Sequence, residues 1–142
     1  MHSPFKQPTA ARLARAGLSI AYNIDVGTTG PIPGAVTRTG TTLTLTVENL
    51  GPGTTGVQLR GNKGFEVLIG GKWEVAQITA HTKATVTLSD VPKTATKLRY
   101  NWYSNPCGEG EFGCAVYIAV EPLGKLSGEE PFLPLPPFVK AI

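Results

Sequence analysis

Between Lys97 and Cys107 the residues run Lys-Leu-Arg-Tyr-Asn-Trp-Tyr-Ser-Asn-Pro-Cys, an alternation that only a half-buried strand accommodates. Successive strand side chains face opposite sides of a sheet, so Leu98, Tyr100 and Trp102 share one face and Arg99, Asn101 and Tyr103 the other. The first set is predicted to be core and the second a polar surface. Two aromatics on the apolar side bring more buried area than any other window, and the Tyr hydroxyl and Trp indole N–H require partners at its edge. We read a central strand here, ended by Asn105-Pro106, because proline lacks a ladder N–H and constrains its predecessor.

The same period of two recurs upstream. Thr41 to Asn49 places Leu43, Leu45 and Val47 inward and Thr42, Thr44, Thr46 and Glu48 outward, the pattern of an antiparallel strand with one wet face. Gly64–Ile69 and Lys72–Thr79 are predicted to form a hairpin around Gly70-Gly71. A two-residue turn there would set Val67 opposite Glu74 and mix the faces, whereas a Gly-Gly-Lys loop sets Ile69 opposite Trp73 and Val67 opposite Val75. Face matching therefore predicts the three-residue loop. Further short strands are predicted at Ala84–Leu88 and Val116–Val120, giving about six in all with turn signals between them. The fold class is mainly β, an antiparallel sandwich or Greek-key-like domain preceded by one N-terminal helix.

That helix spans residues 8 to 22, where Ala10, Leu13, Ala14, Gly17, Leu18 and Ala21 recur at three- and four-residue steps opposite Arg12, Arg15 and Ser19. Residues 24–34 have no period and read as a linker loop, and residues 35–130 form the β domain. Residues 131–142 read as an extended, polyproline-like tail with four prolines between Pro131 and Pro137, packed through Phe132, Leu133, Leu135 and Phe138.

Composition fits this reading. A chain of 142 residues that is 41% hydrophobic and 16% charged, with 17 Gly and 12 Pro, suits one turn-rich β domain. Its net charge of +3 comes without a Lys/Arg stripe, so no nucleic-acid partner is expected. No window approaches the ~20 apolar residues of a membrane span, and no apolar leader follows Met1. Cys107 and Cys114 bracket Gly-Glu-Gly-Glu-Phe-Gly, a spacing unsuited to CxxC redox chemistry, and no second Cys or His pair completes a zinc site. Either the two thiols stay free and buried or they close a structural disulfide. We prefer the disulfide, which implies a secreted or lysosomal protein. No Asp/Glu cluster points to calcium, and no cofactor is expected.

Leu-Arg-Tyr-Asn-Trp at 98–102, Asn-Pro-Cys at 105–107, the second cysteine and the late Leu-Pro-Leu-Pro-Pro-Phe at 133–138 together resemble the end of sialate O-acetylesterases, carbohydrate esterases of the SGNH-hydrolase group. His2, Lys6-Gln7, Ala10, Arg12 and Leu13 resemble the region carrying that family's catalytic histidine and the helix after it. The resemblance covers nearly the whole chain but only the last part of such an enzyme. It implies that residues 1–23 belong to a hydrolase domain whose remainder lies elsewhere, and that relatives carry a comparably spaced cysteine pair.

The implied reaction is hydrolysis of acetyl esters on sialic acid or other sugars, with His2 as general base toward a serine elsewhere. Serine esterases need a nucleophile, a base, a group that orients the base, and N–H donors for the oxyanion. This chain supplies at most the base, so it is expected to be inert alone and to have the rest of the esterase chain as partner. On the β part, Tyr103, Arg99 and Asn101 share the polar face and are the candidate substrate contacts, while His81 sits in a turn and is assigned no role. The rival reading is a freestanding carbohydrate-binding or structural β module.

Overall fold

A computed structural model of the chain describes residues 7–24, 26, 28, 30–50, 54–102, 107, 113–120 and 132–142. Among these run one helix, α1 (Gln7–Tyr22), and the strands β1 (Ile32–Thr39), β2 (Thr42–Glu48), β3 (Thr54–Leu59), β4 (Phe65–Ile69) and β5 (Lys72–Ala76). They continue as β6 (Ile78–His81), β7 (Thr85–Leu88), β8 (Lys97–Tyr100), β9 (Val116–Val120), β10 (Phe132–Pro134) and β11 (Phe138–Ala141). All pairings are antiparallel, in three sheets ordered β1-β2-β7-β6, β10-β9-β3 and β11-β8-β4-β5. The predicted class, mainly β with one N-terminal helix, is the observed one.

Alternation does most of the construction. Strand β2 buries Leu43, Leu45 and Val47 and turns its threonines out, where β-branched side chains suit a pleated, solvated face. Phe65, Val67, Leu98 and Tyr100 of the β4–β8 pair join them, with Val57 and Val116 of the third sheet, in one hydrophobic cluster. Register sets Phe65, Tyr100 and Phe138 side by side across β4, β8 and β11. Their ring centroids lie 4.5 Å apart for Phe65–Tyr100 and 6.1 Å for Tyr100–Phe138. Each such pair adds about 0.5–1.5 kcal/mol beyond its buried area.

The β4–β5 hairpin departs from the expected loop. It pairs Ile69 with Lys72, Leu68 with Trp73 and Val67 with Glu74, across a two-residue Gly70-Gly71 turn. Both glycines have positive φ, 54° and 84°, the signature of a type I′ turn whose twist matches the flanking strands. Turn chemistry thus outweighs face matching. Trp73 and Val75 consequently lie on the outer face, and Glu74 falls on the inner side of an edge strand.

The strand beginning at Lys97 also ends earlier than its alternation predicts. Asn101 adopts φ 47°, stopping β8 at Tyr100, and its N–H donates to the Gly64 carbonyl at 2.9 Å. One left-handed residue inverts the parity. Asn101 turns inward to 3% exposure, and Trp102, predicted core, is 53% exposed.

Two further expectations needed revision. The segment from residue 132 onward is extended as predicted, yet it is ladder-paired rather than polyproline-like: β10 pairs with β9, and β11 pairs with β8. Leu133, Leu135 and Phe138 are buried, as the sequence required. Strands β1 and β3 were masked by Pro31, Pro33 and Gly56; both are irregular, with register shifts at Pro33/Val36 and Thr54/Gly56.

Helix α1 stops where Asn23 takes the left-handed φ of 53°, and the Ile24 N–H donates back to the Leu18 carbonyl at 3.2 Å. Its orientation is informative. Leu13 and Ile20 are 67% and 86% exposed, whereas Arg15, from the face read as polar, is only 2% exposed. Burial pushes the Arg15 guanidinium pKa down.

Candidate functional site

The residues proposed as substrate contacts sit where β8 ends. Arg99 Nε donates to Glu66 Oε2 at 2.8 Å and its second nitrogen to Oε1 at 3.0 Å, a two-pronged pair joining directly opposed residues of β8 and β4. The same guanidinium lies 4.1 Å from the centroid of the Trp73 ring, which the type I′ register brings to this face. Arg99 is therefore held from two sides. Asn101 is buried, its amide nitrogen 3.7 Å from Cys107 Sγ and its side chain against Gly64, where a Cβ would meet Asn101 Oδ1 at 2.6 Å. Tyr103 and His2 lie outside the described residues.

Cys107 and Cys114 form a disulfide. It fastens the connection leaving β8 to the start of β9, beside two tyrosine hydroxyls that accept backbone bonds. The Cys114 N–H donates to Tyr117 Oη at 2.9 Å and the Val116 N–H to Tyr100 Oη at 3.0 Å. Burial pushes the pKa of the Tyr100 hydroxyl up to about 12, against the opposing pull of hydrogen bonds from the Val116 and Ala115 backbone and the Asn101 side chain. Burial also raises Tyr117, offset in part by its backbone bond and by the charges of Arg60 and Arg12.

A second feature was not legible in the sequence. At the open end between the sheets, where the chain passes from edge strand β5 to edge strand β6, a groove of about 330 Å³ is lined by residues of β4, β5, β6 and the β7–β8 connection. Ile69 and Pro92 supply its accessible apolar part over the buried Val67 and Val91, and Glu74 and Asp90 bring two carboxylates. The hydroxyls of Thr79 and Ser89, 2.9 Å apart, and the Gln77 amide, whose Oε1 accepts from Asn62 Nδ2 at 3.3 Å, also contribute. Only the Gly70-Gly71 turn type could have revealed it, since the alternative register sends Glu74 outward.

Among the described residues, no group of three or more His, Cys, Asp or Glu side chains could hold a metal ion. Nor is any described helix long and apolar enough to cross a membrane. Antiparallel sheets packed around a hydrophobic core define the described residues as a β domain. The family model for the sialate O-acetylesterase C-terminal domain matches residues 35–142, and the chain belongs to that family. A solved carbohydrate acetylesterase from Xanthomonas citri superposes with a TM-score of 0.71 at 20% identity, covering 98% of this chain and 29% of that one. The chain thus spans less than a third of that relative's length. No curated protein matches it.

Proposed function

We propose that this chain acts as the C-terminal region of a carbohydrate O-acetylesterase that removes acetyl groups from sialic acid or other sugars, with α1 docked on the hydrolase domain and His2 serving there as general base. The observation that carries this reading is the outward apolar face of α1. Leu13 and Ile20, two turns apart on one side of the helix, are 67% and 86% exposed, while Arg15 of the same helix is 2% exposed. Covering these two side chains is worth roughly 1.5–3 kcal/mol each, a contribution toward holding two domains in one arrangement. His2 precedes the helix by a few residues, so docking α1 would deliver the imidazole to the partner domain. The C-terminal-domain family supports the same assignment, and the Cys107–Cys114 disulfide supports a secreted or lysosomal setting.

The test joins the chain to the catalytic region of the same protein and follows acetate release from O-acetylated sugars. His2→Ala should lower kcat by several orders of magnitude with folding intact. The 142-residue chain alone should be inert. Turnover by the rigorously pure isolated chain, or full activity in His2→Ala, overturns the proposal.

A further inference from the structure

We infer that the groove between β5 and β6 is a binding site for an uncharged saccharide unit. The inference builds on the sugar-directed reading above but rests on the groove's own chemistry. Its volume of about 330 Å³ falls at the lower end of small-ligand sites, a size for one or two sugar rings rather than a long chain. A pyranose presents apolar C–H faces and a rim of hydroxyl donors. The groove presents the complement, with Ile69 and Pro92 offering apolar surface over the buried Val67 and Val91, and the Glu74 and Asp90 carboxylates as acceptors for the rim.

Three details favour a built site over a gap between sheets. Glu74 reaches the inner side of β5 only because the Gly70-Gly71 turn imposes that register, opposite buried Val67. Asp90 is held at φ 59° between Ser89 and Val91, and the Val91 N–H donates to the Thr41 carbonyl at 2.8 Å, which fixes the carboxylate-bearing turn. Thr79 and Ser89 are already hydrogen-bonded to each other across the β6–β7 edge, so their hydroxyls are ordered before a ligand arrives. The lining holds two carboxylates and no Lys, Arg or His, so an anionic sugar is repelled and a neutral one is not. The site therefore discriminates against free sialic acid even if the hydrolase domain acts on its esters, and it would anchor a neutral neighbouring sugar of the same glycan.

The experiment titrates the 142-residue chain at pH 7 with methyl β-galactopyranoside, methyl β-glucopyranoside and N-acetylneuraminic acid, reading amide shifts by NMR. At least one neutral glycoside should shift Thr79, Ser89 and Asp90 saturably, with N-acetylneuraminic acid at least tenfold weaker. Glu74→Gln and Asp90→Asn keep size, and asparagine tolerates the left-handed turn position; each should weaken binding about tenfold while leaving the free spectrum folded. Absence of saturable shifts with both glycosides, equal binding of the acidic sugar, or unchanged binding in both variants overturns the inference. Hydrolysis plays no part in the readout, so a blank titration alongside an active joined enzyme rejects only the groove. Saturable binding without any esterase activity rejects only the catalytic reading.

Discussion

The Tyr100 hydroxyl accepts the Val116 N–H at 3.0 Å, linking the end of β8 to the first residue of β9 through a fully buried aromatic of the core. Neither residue can satisfy its polar group with water. Removing the oxygen in Tyr100→Phe leaves a buried amide unpaired at little change in volume, and should lower stability by about 1–3 kcal/mol. Urea denaturation of the two proteins, compared at equal slope, measures it.

The same tyrosine dictates an alkaline limit. Its folded pKa is raised from 10.0 to about 12 by burial, so the neutral form is favoured in the folded state. Stability from this group is complete below the unfolded pKa near 10 and is lost as pH rises through about 12. At 1.36 kcal/mol per unit the loss across that window is about 2–3 kcal/mol. Thermal melts at pH 9, 10, 11 and 12 should show the decline, and Tyr100→Phe should decline less.

At the β4–β5 turn, Gly71→Ala places a Cβ at φ 84° and should cost about 1–2 kcal/mol. Gly70→Asn, at φ 54°, creates the Asn-Gly pair that type I′ turns prefer and should leave the melting temperature unchanged or higher. Equal losses in both variants would show that the turn type is not what sets the register.

These same positions show what the sequence makes legible. Hydrophobic alternation in β2 and β8 announced the core, because burial of one face leaves no other register for Leu43, Leu45, Leu98 or Tyr100. Asn101 and Gly70-Gly71 escaped because each is decided by backbone conformation rather than by side-chain pattern: a single positive φ inverts Trp102, and two of them invert Glu74 and Val75. Of the candidate contacts, Arg99 lies on the outer face as its parity predicts, committed to Glu66 and Trp73, whereas Asn101 follows the inverted parity into the interior. The groove, being a product of inter-sheet geometry, left no periodic trace at all.

Arg99→Lys keeps the charge but exchanges a planar fork for a point charge, losing one of the two bonds to Glu66 and the stacking on Trp73. The expected cost is about 1 kcal/mol, since both partners are largely but not wholly shielded from solvent. Repeating the denaturation in 1 M NaCl should shrink the difference only slightly, because screening weakens partly buried pairs much less than exposed ones.

Reducing the Cys107–Cys114 disulfide releases a loop of short sequence separation, 7 residues, and should destabilise the domain by about 2 kcal/mol. Melting with and without reductant, alongside a Cys107→Ser/Cys114→Ser variant, checks this. Coincident curves for all three would mean that the cross-link contributes nothing to stability.

Strand β11 was described as the outer neighbour of β8, supplying Phe138 to the aromatic row and the Ile142 N–H to the Thr96 carbonyl at 3.1 Å. During synthesis β4, β5 and β8 emerge well before it, so a nascent chain carries β8 as an uncapped sheet margin until that strand arrives. A ribosome that stalls inside Phe138–Ala141, or a protease that trims it, leaves a hydrogen-bonding rim able to recruit a neighbouring molecule. Protection of this sheet margin is therefore concentrated in one four-residue strand.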